Sequence, residues 1–210
     1  MKDLKIEKFI EDLSSDLPAP GGGAVASLVA ALAGGLTSMV YSLTKGKKAF
    51  EDLSEEDKEK MEKCIGDIRE FTNNALVYGK RDEEAFNELM ACYKLPKNTE
   101  EEIEARKNKI SMCTENCMAV PLELAEKSLE IFENIKFATE KGNKNLVTDA
   151  MIGAILLDSA IEASIINVKI NLASIKNEEL KLNTESRIRE IEKQSKFIKD
   201  EILAYGYKQF

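Results

Sequence analysis

The sequence predicts an all-α protein, an antiparallel helical bundle with two buried, charge-poor inner helices. Three observations predict it. The four prolines of the 210-residue chain stand at 18, 20, 96 and 121, so long stretches run without interruption. Two of those stretches, 24–43 and 146–175, are poor in charge, as helices enclosed by other helices are. No segment alternates apolar and polar residues with a period of two, and no repeat recurs at a fixed spacing. With 43% apolar and 32% charged residues the chain can close a core, and it is expected to do so as one helical domain over 1–210.

The elements follow in order. Residues 4–13 set Leu4, Ile6, Phe9, Ile10 and Leu13 on one stripe, the pattern of a short docking helix. The run Ser14–Gly23, with Pro18, Pro20 and three consecutive glycines, stops it. From Ala24 to Leu43 no residue is charged, and Ala26, Ala30, Gly34 and Ser38 recur every fourth residue as a flat strip that another backbone can approach. Its length permits a membrane span, but five alanines and only seven Leu or Val residues favour a central helix buried all round. Ser54 opens a third helix, with Glu55, Glu56 and Asp57 in its first turn and an apolar stripe from Met61 to Met90; Pro96 ends it. Asn98 or Thr99 caps a fourth, with Pro121 expected to kink it and Gly142 to close it. Residues 146–175 form the second buried helix and 177–205 a charged outer one.

Composition excludes much chemistry. With no histidine there is no Ser-His-Asp or Cys-His arrangement, no HExxH zinc site and no imidazole proton shuttle, so acid–base work falls to Asp, Glu, Lys, Tyr or Cys. A net charge of −8 repels a phosphate backbone, which argues against nucleic-acid binding. Cys64, Cys92, Cys113 and Cys117 form no CxxC pair and have no further ligands nearby, so no metal site is expected. Their sparse use suits a reducing cytoplasm. The charged, amphipathic N-terminus lacks the apolar core of a signal peptide, and no membrane partner is expected.

Three places break the apolar pattern. The stripe Ala75, Tyr78, Ala85, Leu89 passes through Asp82, a carboxylate that must be paired or line a wet cavity; Lys80 or Arg81 would serve as a structural partner, whereas a pocket would leave its pKa open to tuning. In the second charge-poor helix a 100° step gathers Asp149, Gly153, Ala160, Ser164, Asn167 and Asn171 on one face. Packed on the strip at 26–38, that face would leave a groove, though Asp149 and Asn167, eighteen residues apart, are separated by ~27 Å and cannot meet one atom. Gly21, Gly22 and Gly23 precede a helix start, where backbone can approach a ligand and offer free N–H groups; a tight turn would explain them too.

In order along the chain, Pro18-Ala19-Pro20-Gly21-Gly22-Gly23-Ala24-Val25-Ala26, Asp82-Glu83-Glu84-Ala85-Phe86, Lys94-Leu95-Pro96-Lys97-Asn98-Thr99, Val120-Pro121-Leu122, Lys141-Gly142-Asn143, Thr148-Asp149-Ala150 and Asn167-Val168-Lys169-Ile170-Asn171-Leu172 closely resemble the formiminotransferase-cyclodeaminase C-terminal family. The resemblance covers nearly the whole chain and falls on the three features above. It implies an all-helical, cytoplasmic, homodimeric enzyme without metal or cofactor, acting on a tetrahydrofolate derivative. The expected reaction is hydrolysis of 5,10-methenyltetrahydrofolate to 10-formyltetrahydrofolate; the alternatives are formiminotetrahydrofolate cyclodeaminase and a non-catalytic helical module that binds a partner. For the first, Asp82 would stabilise the cationic carbon and take the proton of attacking water, and Tyr78 or Lys80 would supply the second proton. Pro20 and Gly21–Gly23 would meet the ligand through backbone, and Asp149, Asn167 and Asn171 would hold the pterin. Where relatives carry another acid just before Asp82, this chain reads Gly79-Lys80-Arg81. Lys45, Lys47 and Lys48 are candidate contacts for the glutamate tail.

Overall fold

The computed structural model describes residues 5–210. Among these residues seven α-helices follow one another: α1 Ile6–Leu13, α2 Gly22–Thr44, α3 Lys48–Glu51, α4 Glu55–Cys92, α5 Glu100–Lys141, α6 Val147–Leu172 and α7 Glu178–Gly206, with a 3₁₀ turn at Lys144–Leu146. No strand occurs among the described residues. Helices α2, α4, α5 and α6 form a ring of antiparallel neighbours in which α2 faces α5 across the diagonal, and α7 lies in the groove between α5 and α6.

The starts are fixed by side chains. Ser54 and Thr99 accept the N–H groups of Asp57 and Glu102, and Glu102 reaches back to the N–H of Asn98, a reciprocal cap. Asn177 does the same for α7 through Leu180. Gly142 stands at the end of α5 in extended, not left-handed, backbone. Its reason is crowding, since a Cβ there would lie 2.3 Å from the Ala138 carbonyl oxygen and 2.8 Å from Val40.

Pro121 does not divide α5, which runs through it from 100 to 141. A proline at 121 withholds the N–H that would bond the Cys117 carbonyl. The Asn171 side chain supplies the missing donor, its Nδ2 lying 3.1 Å from that oxygen.

At Gly34 the small-residue strip of α2 meets α4: a Cβ there would fall 2.3 Å from Thr72 Oγ1. The face turned to α6 is Ala33, Leu36 and Thr37, against Gly153. Burial of the two charge-poor helices is one-sided. More than half of each is enclosed, yet Leu32, Met39 and Leu43 on α2, and Ile152, Ile155, Ile166 and Ile170 on α6, are exposed, Ile166 by 66%. By length and composition either helix could cross a membrane. On α1 only Phe9 is buried, while Ile6, Ile10 and Leu13 face outward; Leu4 lies outside the described residues. The sequence also gave no sign of α3, a single turn.

Among the described residues charge enters the core once, at Asp158 of α6. It is 5% exposed and accepts hydrogen bonds from Ser195 and Lys199 of α7. The pair of α7 donors explains how a carboxylate survives there.

Candidate functional site

Where α2 begins, α4 passes and α6 ends, a cavity of about 330 Å³ opens, near the lower end of the range for small-molecule sites. Pro20, Gly21, Gly22, Gly23, Asp82, Asn167 and Asn171 all line it. Glu83, Phe86, Cys117 and Ile170 line it as well; none of them was an expected site residue, since Phe86 reads as core stripe and the others as ordinary helix surface or packing.

Asp82 is placed by α4 and admitted by α2. A Cβ on Gly23 would lie 2.1 Å from Asp82 Oδ2, so the carboxylate occupies the volume that any other residue at 23 would fill. Partial burial raises its pKa above the ordinary aspartate value. The N-terminal end of α2 works the other way, because its first N–H groups favour an anion. Among the described residues no cation pairs with Asp82 and no donor bonds it, so its structural-partner reading through Lys80 or Arg81 does not hold. Lys80 is exposed and pairs with Glu84, 3.3 Å away. Arg81 goes to Glu123, 2.7 Å away.

Opposite stand the two asparagines. Asn167 Nδ2 bonds the Ala163 carbonyl at 2.9 Å, and its amide faces Gly22, where an added Cβ would sit 3.5 Å from Oδ1. Asn171 Nδ2 is shared between the carbonyls of Cys117 and Asn167. Both Asn171 donors are engaged on backbone and one of Asn167's is, so the two amide oxygens and one Asn167 N–H are left for a ligand. The Cys117 thiol, buried on α5, is pushed up to about 11 by burial and by the nearby Asp82 charge, and stays protonated.

Three expected site residues are not gathered here. Tyr78 is one turn before Asp82 but donates its hydroxyl to Glu123 Oε1 at 2.8 Å, on the α5 side. Its pKa is pushed up to about 12 by burial and by that carboxylate. Lys80 lies beyond the wall of the cavity, over a neighbouring space with Phe9 and Asp12. Asp149 sits in the first turn of α6, ~27 Å along the helix from Asn167. The lysines at 45, 47 and 48 are likewise at the far end of α2, ~33 Å from Gly23 along its axis.

A helix start, a half-buried carboxylate without a partner and two oriented amides around one cavity define a helical protein built to hold a small polar ligand. The profile of the family described as Formiminotransferase-cyclodeaminase matches residues 5–190, and the chain belongs to that family. It is 33% identical over 187 residues to a methenyltetrahydrofolate cyclohydrolase of Methylorubrum extorquens, covering 89% of this chain and 86% of that one. It is 29% identical to a formimidoyltransferase-cyclodeaminase of Rattus norvegicus, covering 92% of this chain but 35% of that longer protein. Among solved structures, a formiminotetrahydrofolate cyclodeaminase of Thermotoga maritima superposes with a TM-score of 0.85 at 26% identity, over 97% of this chain and 96% of that one.

Proposed function

We propose that the protein hydrolyses 5,10-methenyltetrahydrofolate to 10-formyltetrahydrofolate in one-carbon metabolism. The observation that carries this reading is the unpartnered, half-buried Asp82 facing a cavity otherwise furnished with amide oxygens and a helix start. The substrate carbon sits between two nitrogens of a cationic amidinium, so an anion beside it stabilises the bound cation and accepts a proton from attacking water. Raised above the usual aspartate value, Asp82 is a better base than a solvated carboxylate. The asparagine oxygens and Glu83 accept hydrogen bonds from the pterin amide and amino groups, and the backbone at Gly21–Gly23 closes against the ring. The cyclohydrolase of Methylorubrum extorquens, matched over most of both chains, supports the hydrolytic direction.

The test is the decay of methenyltetrahydrofolate absorbance. Asp82→Asn should lower kcat by ~10²–10⁴-fold, the usual worth of a general base; unchanged turnover would remove Asp82 from the mechanism. The Thermotoga maritima likeness favours a second reading, ring closure of a formimino substrate. Ammonia released from formiminotetrahydrofolate, faster than methenyl hydrolysis, would establish it instead.

The working form we propose is a cytoplasmic homodimer. The exposed apolar residues of α2 and α6 lie on adjacent helices as one face, and a twofold pairing would cover them; four free, buried cysteines fit a reducing compartment.

A further inference from the structure

Asp82 has two sides. Its front meets the cavity; behind it, a void of about 10 Å³ is bordered by Asp82, Gly23, Ser27, Tyr78 and Ser164. That is room for one water, with the side chains of Asp82, Ser27, Ser164 and Tyr78 as polar neighbours and Ala26, Val120, Pro121 and Leu124 closing the rest. Tyr78 thus borders the void, and its hydroxyl already donates to Glu123 at 2.8 Å. Both residues line a second cleft of about 400 Å³ between α4 and α5, which also holds Asp67, Glu70 and Glu130.

We propose that one water in this void, Tyr78 and Glu123 form a proton exit from Asp82 through α4 to the second cleft. The proposal rests on the hydrolytic reading. There, a methenyl cation and water give a neutral formyl group and one proton. The attacking water forms the C–O bond and gives a proton to Asp82. On collapse the adduct's hydroxyl loses its proton as the carbonyl forms, the C–N bond breaks, and the nitrogen takes the electron pair and a proton. Asp82 is left protonated while product covers its front.

The hops then balance without an intermediate charge on the ring. Asp82 gives its proton to the water, the water gives one to the Tyr78 oxygen, and Tyr78 passes its own along the existing hydrogen bond to Glu123. Glu123 releases it to solvent in the cleft. The Arg81 guanidinium holds the Glu123 carboxyl below its ordinary range, so the proton does not stay there. The high pKa of Tyr78 fits transfer in concert, with no phenolate accumulating.

The experiment is steady-state hydrolysis by Glu123→Gln and Tyr78→Phe at rising concentrations of a small buffer base. For both, kcat should fall by about tenfold or more with kcat/KM within about twofold, since proton release follows the committed step. Added buffer should restore kcat, and the solvent isotope effect on kcat should grow. Equal losses in kcat and kcat/KM without buffer rescue, or unchanged kcat in Glu123→Gln, would each overturn the exit. A wild-type chain without turnover would refute the hydrolytic reading itself, a different result.

Discussion

At the scale of single residues, the site trades stability for reactivity. Burial raises the Asp82 pKa in the folded chain above its unfolded value, so the native state holds that proton more tightly. The charged carboxylate therefore costs stability above the folded pKa, and the cost disappears as pH falls below the unfolded value near ~4. Asp82→Asn should melt higher than wild type at pH 7, with the difference vanishing toward pH 4 in calorimetric scans. Activity should show the same group from the other side, with kcat/KM declining as pH drops through the raised pKa. Gly23 gives the converse case. Gly23→Ala should leave the melting temperature close to wild type, because alanine favours helix. Its Cβ would nevertheless displace the carboxylate it nearly overlaps, so turnover should fall by about 10²-fold. Asp82 was legible because it breaks a stripe of apolar residues. Glu123 was not, because its partner Tyr78 is 45 residues away and no local pattern marks the pairing.

Among elements, the long helices followed from proline spacing, caps and apolar periodicity, and their bounds fall within a few residues of expectation. What periodicity does not encode is which face meets which neighbour. Gly34 of the strip at 26–38 turned out to serve α4, admitting Thr72 there, while Gly153 of α6 is met by Ala33 and Thr37. Asp158 escaped notice for a related reason. A single acid in an apolar helix shows nothing of the Ser195 and Lys199 that satisfy it from another helix. Removing that acid leaves a lysine and a serine facing the core without an acceptor. Asp158→Ala should lower the unfolding free energy by about 3 kcal/mol in urea titrations while leaving kcat nearly unchanged, since neither Asp158 nor its two partners lines the cavity.

For the molecule as a whole, an all-helical bundle was plain in the sequence, and so was most of the polar wall of the cavity. The expectation that two charge-poor helices are enclosed on every side met a limit of geometry: with four helices in a ring, each has an outer face. Those faces stay apolar on α2 and α6, and Leu32→Lys with Ile166→Glu should shift the protein to a slower-sedimenting monomer in analytical ultracentrifugation if a second copy covers them. The bend-tolerant middle of α5 has a longer reach. Because Pro121 leaves the Cys117 carbonyl in want of a proton, Asn171 is conscripted to answer it, and its oxygen alone is left to greet whatever enters. An imino acid that lines no part of the main cavity thus decides the polarity of its lining, and chemistry at that pocket can be retuned from a neighbouring helix without altering a residue on its wall.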